Sequence, residues 1–282
     1  MKQYNRVMLG RGGMYADQCK QEGYIGANFH INEDLTKHLP DNWKEFNKKY
    51  IPVFLKNNPD KTKVGAGLGC GALWTICKGL EVGDVVLSPN GKGEYMVGEI
   101  VGNYYYVPGT DLPHRRKVQW YDKTIARSEM SDELRHSTGS IGTCCDISSY
   151  KDEIESFLDK VAPVKIVANS TEVEDASEFA LEKHLEDFLV KNWKQTDLGK
   201  KYDIYEEDGD LVGQQYNTDT GPIDILAISK NKKTILVIEL KKGRTSDVVI
   251  GQVQRYMGYV KEELLEQGQE VRGLIIGLSA DT

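Results

Sequence analysis

Two carboxylates and a lysine stand out against the segments that carry them. Asp224 is the single charged residue in Gly221-Pro222-Ile223-Asp224-Ile225-Leu226-Ala227-Ile228, and Glu239 and Lys241 close the run Thr234-Ile235-Leu236-Val237-Ile238-Glu239-Leu240-Lys241. Both runs are rich in aliphatic and β-branched residues, so each is expected as a strand, the second buried on both faces. Carboxylates are rarely placed in such strands without a partner, because desolvating one is expensive. Strand side chains alternate, which puts Glu239 and Lys241 on one face and Leu240 on the other. Lys230 to Lys233 reads as a charged turn, and a hairpin across it lets Asp224 meet Glu239. Two such carboxylates suit Mg²⁺ or Mn²⁺, hard ions that take oxygen ligands. A lysine beside them suits orienting an attacking water or stabilising charge that develops on a phosphate.

Taken alone, Glu-x-Lys would be an ordinary ion pair ending a strand. Its surroundings argue for more. Asp224 directly follows Pro222-Ile223; a helix with Glu178, Glu182 and Glu186 on one i, i+4 row precedes the strands; and a helix with Gln252 four residues before Tyr256 follows them. The first helix is expected to open at Asp175 with Glu178 in a capping box, and its apolar stripe is Phe179, Leu181, Leu185, Phe188 and Leu189. Asp208-Gly209 is a turn signal between the helix and the strands.

Pro222-Ile223-Asp224, then Ile238-Glu239-Leu240-Lys241, then Gly251-Gln252-Val253-Gln254-Arg255-Tyr256 resembles the NucS-type branch of the PD-(D/E)XK nuclease superfamily. The resemblance implies a restriction-endonuclease-like αβββαβ core and Mg²⁺- or Mn²⁺-dependent hydrolysis of DNA phosphodiesters. It assigns metal ligation to Asp224 and Glu239, water activation to Lys241 and an accessory catalytic role to Gln252. It also calls for a helix glutamate; Leu181-Glu182 and Leu185-Glu186 fit equally well, with Glu182 preferred and Glu186 close behind. Lys242, Arg244, Arg255 and Tyr256 are candidates to contact DNA beside this core. Relatives usually continue beyond the final apolar strand Gly273 to Gly277, so a truncated C-terminus is expected.

The first half reads as mixed α/β. Tyr4 to Leu9 and Tyr24 to Phe29 are candidate strands, Asn42 to Tyr50 a helix ending before Pro52, and Ala66 to Lys78 a tight helix of small residues. Short strands follow at Asp84 to Leu87, Glu94 to Tyr106 and Lys117 to Tyr121, with Pro89-Asn90-Gly91 as a turn and Gly98 and Gly102 as bends. This spacing suggests a small curved β-barrel. Asp132 to Arg135 and Lys151 to Val161 are expected as helices. Gly83 to Pro89, Val97 to Ile100, Tyr104 to Tyr106 and His114 to Trp120 resemble PUA/EVE-like domains fused to restriction and anti-phage nucleases, some of which read modified bases. On that resemblance Trp74, Tyr104, Tyr105, Tyr106 and Trp120 are candidates for a base-stacking pocket. Arg115, Arg116 and Lys117 are candidates for phosphate contacts, and His114 reads as a hydrogen-bonded loop residue.

The expected organisation is therefore a reading domain over 1–161, a linker over 162–174 and a nuclease domain over 175–282. The net charge of −7 and pI near 5.4 weigh against a surface that grips nucleic acid throughout, though not against a local basic groove. An odd count of five cysteines without Cys-x-x-Cys spacing points to free thiols rather than zinc. No apolar run or signal core is present, so a cytoplasmic protein without membrane contact is expected. The leading function is a DNA endonuclease of restriction or anti-phage defence, with a homodimer as one arrangement that cuts both strands. The alternatives are a repair nuclease for mismatched or branched DNA, and a non-catalytic sensor of a modified base or nucleotide.

Overall fold

The computed structural model describes residues 2–139, 142–159, 176–207, 210–218, 220–241, 244–245, 247–277 and 279–280. The expected linker 162–174, the Asp175 helix cap and the Asp208-Gly209 turn lie outside the described residues. The chain divides into two compact units, Met1–Lys61 with Gly65–Val164, and Thr62–Val64 with Lys165–Thr282.

In the first unit the strands are β1 (Tyr4–Val7), β2 (Tyr24–Ala27), β3 (Val85–Pro89), β4 (Glu94–Tyr106), β5 (His114–Ala126) and β6 (Cys144–Asp146). They form one mixed sheet in the order β2-β5-β4-β3-β1-β6, with β1 and β3 parallel. The helices are α1 (Ala16–Glu22), α2 (Trp43–Asn57), α3 (Lys63–Trp74), α4 (Asp132–Thr138) and α5 (Lys151–Asp159).

The expected barrel does not close. Alternation along β3 sends Val86 into a core with residues of α1, α2 and α3, while Val85 and Leu87 pack with Leu134 of α4 and Ile154 of α5. Both faces of the sheet are thereby covered by helices, so the strands need not wrap around a core of their own, and β2 and β6 stand at opposite edges. The β4–β5 hairpin does carry two register shifts, between Met96 and Gly98 and between Ile100 and Tyr104. A Cβ at Gly98 would meet Val118 Cγ1 at 2.5 Å, so glycine is required at that close approach.

Helix α2 also overruns its expected end. Pro52 lies inside it, where proline removes a backbone donor. Phe46, Tyr50, Ile51 and Phe54 of the same helix are all buried in the core, and burying them outweighs the missing hydrogen bond.

The second unit contains α6 (Ala176–Lys191), β7 (Tyr202–Ile204), β8 (Glu206–Glu207), β9 (Asp210–Leu211), β10 (Gln214–Thr218), β11 (Gly221–Ser229), β12 (Thr234–Leu240), β13 (Arg244–Thr245), α7 (Asp247–Tyr259), β14 (Glu270–Ile276) and β15 (Ser279–Ala280). Its main sheet runs β10-β11-β12-β14, and β7 also pairs with β11. Strands β11 and β12 form an antiparallel hairpin in the register Ile225↔Ile238, whereas β12 and β14 are parallel, joined through α7. One face of this sheet, through Ile225, Ala227, Leu236, Ile238 and Leu240, packs on Leu185, Leu189 and Val190 of α6. Each buried aliphatic side chain contributes on the order of 1.5–3 kcal/mol, enough in sum to hold charged residues in the intervening positions. Opposite, α7 sits close on β14, since a Cβ at Gly273 would meet Val253 Cγ1 at 2.5 Å and Met257 Sδ at 2.7 Å.

Candidate active site

Continuing the β11–β12 register by one residue beyond Ile225↔Ile238 puts Asp224 across from Glu239. Asp224 is oriented from two sides: Oδ2 accepts the Leu240 backbone N–H at 2.8 Å, and Oδ1 accepts from Gln215 Nε2 at 3.1 Å. Glu239 is 2% exposed. Lys241, on the same strand face, places Nζ 3.3 Å from Glu182 Oε2 and 3.7 Å from Glu239 Oε1. One lysine thus links the helix acid to the strand acid.

Burial dominates the electrostatics. It raises the Asp224 carboxyl above the usual range, against the hydrogen bonds from Leu240 and Gln215 that favour its charge. Glu239 is pushed up to about 8, first by burial and then by the neighbouring charge of Asp224. Two acids that resist ionising side by side make a strong site for a cation.

The donor set fits a hard divalent ion. Glu239 Oε2 is buried and has no hydrogen-bond partner among the described residues. An orphaned carboxylate oxygen beside a second carboxylate is a buried acceptor whose negative charge a bound cation would satisfy. Asp224 and Glu239 offer oxygen alone, the preference of Mg²⁺ and Mn²⁺.

Of the helix acids, the structure brings two to this cluster by different routes. Glu182 reaches Lys241, and Glu186, 3% exposed, accepts from Gln214 Nε2 at 2.7 Å and from Gln215 Nε2. The side chain of Glu178 lies outside the described residues, as do that of Arg244 and the whole of Lys242. On α7, Gln252 Nε2 donates to Tyr256 Oη at 2.9 Å. The expectation that Tyr256 contacts DNA is corrected: its ring is 1% exposed, because it fills the space above Gly221, where a Cβ would come within 3.1 Å of its hydroxyl. Burial raises its phenol, and the charges of Glu239 and Asp224 add to the rise. Arg255 is exposed on the same helix.

Gln214 and Gln215 were not singled out from the sequence. In the β10–β11 register, Gln214↔Ile225 and Tyr216↔Ile223 bracket Gln215 opposite Asp224. Only that pairing reveals them, since nothing in Gly-Gln-Gln-Tyr marks a site on its own.

The basic cluster of the first unit is corrected. His114, Arg115 and Arg116 are strand residues paired with β2, not a loop, and all three are buried. Arg116 donates through Nε to Gly102 O at 2.8 Å and through Nη1 to Leu80 O at 2.7 Å. Arg115 donates through Nε to Leu112 O at 2.7 Å, pairs with Glu22 at 3.3 Å and stacks over the Tyr24 ring. Both guanidinium groups are engaged by the chain itself; of the basic candidates Arg115, Arg116 and Lys117, Lys117 is the exposed one. His114 bonds Tyr104 Oη and Ile31 O, and burial lowers its pKa.

The expected aromatic pocket is also dispersed. Trp74 Nε1 donates to Pro40 O and Trp120 Nε1 to Cys19 O, both rings packing on the core. Tyr106 packs on His114, and Tyr105 is half-buried. Tyr104 lines a cavity of about 480 Å³, which it shares with Arg116, Lys78, Glu81 and Asn103.

A helix, three antiparallel strands, a second helix and a parallel strand, with acids on adjacent strands and a lysine two residues after the second, define a restriction-endonuclease-like α/β domain. Residues 181–282 match the Endonuclease NucS C-terminal domain, and the second unit is a domain of that type. The chain belongs to the family described as Domain of unknown function (DUF8426), which matches residues 7–148, half of its length. Endonuclease NucS of Methanocaldococcus jannaschii is 32% identical over 80 residues, or 28% of this chain and 29% of that protein. The chain thus spans under a third of that relative's length. Among solved structures, a repair endonuclease from Pyrococcus abyssi aligns over 67% of this chain and 55% of its own at 15% identity and a TM-score of 0.28. An EndoMS–dsDNA complex aligns over 67% and 54% at 12% identity, also with a TM-score of 0.28.

Proposed function

We propose that the chain is a DNA endonuclease that hydrolyses phosphodiester bonds at Asp224, Glu239 and Lys241, with Mg²⁺ or Mn²⁺ as cofactor. The observation that carries this reading is the buried, unpartnered Oε2 of Glu239 beside Asp224, in a domain of the NucS type. Asp224 and Glu239 would hold the ion, with Glu182 or Glu186 as third acid. The ion supplies Lewis-acid polarisation of the phosphate and a water of lowered pKa.

The chain's own groups do the positioning. The Leu240 N–H fixes the rotation of the Asp224 carboxylate. Lys241, held between Glu182 and Glu239, carries a positive charge to where negative charge develops on the phosphate. Gln252, bonded to Tyr256 on α7, would serve as the accessory residue beside the acids. Arg255, exposed on α7, is the candidate to contact the DNA backbone.

Repair of mismatched or branched DNA is the preferred role, because the matched domain is that of NucS endonucleases. The first unit selects the DNA in this proposal. The test is a cleavage panel of modified phage DNA, unmodified plasmid, and mismatched and branched oligonucleotides with Mg²⁺ and Mn²⁺. Cutting confined to the mismatched or branched forms is expected. Cutting confined to phage or plasmid DNA would favour defence, and tight binding of a modified base with no cutting in any arm would favour a sensor.

A further inference from the structure

We propose that Gln215 is a positioning residue that locks the helix acid Glu186 to the strand acid Asp224, and so sets how tightly the acid cluster takes a divalent ion. The inference rests on the proposed function but concerns a residue outside the motif that suggested it.

Three observations carry it. The single amide Nε2 of Gln215 donates both to Glu186 Oε2 and to Asp224 Oδ1, so one NH₂ group ties α6 to β11. Gln215 falls between the paired positions Gln214↔Ile225 and Tyr216↔Ile223 of β10 and β11, next to Asp224 on the facing strand. Its backbone is in the left-handed region, with φ of 49°, one of three non-glycine residues with positive φ among those described. A glutamine gains nothing from that conformation locally, and such outliers persist where the surroundings over-determine them.

The conformation also explains how adjacent residues reach one acid. In a regular strand Gln214 and Gln215 would point to opposite faces. Here Gln214 Nε2 donates to Glu186 Oε1 while Gln215 Nε2 donates to Glu186 Oε2, so the carboxylate of Glu186 is held at both oxygens. The amide is uncharged, so it brings two acids together without neutralising them, as the Lys241 ammonium does for Glu182 and Glu239. Partners that orient ligating carboxylates typically change metal affinity 10–100-fold when removed.

The test uses the full chain in four forms: wild type, Gln215→Ala, Gln215→Gly and Gln215→Asn. Glycine adopts positive φ freely, so it removes the amide while keeping the turn even if the alanine variant folds poorly. Asparagine tolerates the same φ and keeps the amide, but is one methylene too short to span both acids. Mn²⁺ affinity is read by calorimetry without DNA, alongside kcat and KM on a branched duplex. A loss of Mn²⁺ affinity of about tenfold or more in the glycine and asparagine variants is expected, with kcat falling and KM for DNA unchanged. Mn²⁺ affinity and kcat within twofold of wild type in the glycine variant would overturn the inference while leaving the proposed function intact. A wild type that neither binds Mn²⁺ nor cuts DNA would overturn both.

Discussion

Both units bury charged side chains, and the two clusters differ in whether those charges are satisfied. In the first unit Arg116 and Arg115 are buried against carbonyl oxygens of the chain itself, with Glu22 as counter-charge to Arg115. In the second, Glu239 is as deeply buried but keeps one oxygen without a partner, beside a second acid. A satisfied buried charge is a structural strut. An unsatisfied buried acid beside a second acid is the arrangement that ligand and metal sites favour. Residue type alone would have ranked the two clusters the other way for nucleic acid, since the arginines carry the sign that attracts phosphate.

The contrast predicts different failures. Asp224→Asn keeps an acceptor for the Leu240 N–H but removes the charge proposed to hold the metal, so cleavage should fall by ~10³-fold or more with the melting temperature held or raised. Lys241→Ala should lower the turnover rate by ~10²–10³-fold. Arg116→Ala should instead lower folding stability by about 2–4 kcal/mol, because it strands buried carbonyls, as read by urea unfolding. If Arg116→Ala left stability unchanged and abolished DNA binding, the contrast would fail.

A subtler effect is in pH. Glu239 in the folded, metal-free chain holds its proton up to about 8, whereas the unfolded chain releases it near 4.5. Between those values the unfolded state binds fewer protons, so metal-free stability should fall as pH rises. Glu239→Gln should flatten that slope, with the melting temperature gaining more at pH 8 than at pH 5; an unchanged slope would contradict the burial of an ionisable Glu239. Smallest of all, Lys117→Ala should shift stability by under about 0.5 kcal/mol, as for any exposed side chain.

Much of the second unit is legible in the sequence because its signals are local. Alternation in Thr234 to Lys241 places Glu239 and Lys241 on one face, and the charged turn between the runs implies the hairpin that brings Asp224 across. Gln215 is not legible in this way, since its contact with Asp224 comes from a neighbouring strand and a left-handed backbone that no motif announces. In the first unit, the Tyr104-to-Tyr106 and His114-to-Lys117 segments look like binding residues because aromatic and basic types serve both binding and cores. The burial of His114, Arg115 and Arg116 follows from helices on both faces of the sheet, a long-range fact. Pro52 misleads for a similar reason, its local preference being overridden by the packing of Phe46, Tyr50 and Phe54.

The most direct test of the acid centre is the cleavage rate of a branched or mismatched duplex measured against Mn²⁺ concentration, for wild type and Glu239→Gln side by side. A rate that is zero in chelator, rises to saturation in wild type and is lost or shifted to far higher Mn²⁺ in Glu239→Gln is the predicted result. Cleavage that persists in chelator, or an identical Mn²⁺ dependence in both proteins, would contradict the assignment of Asp224 and Glu239 as the metal-binding acids.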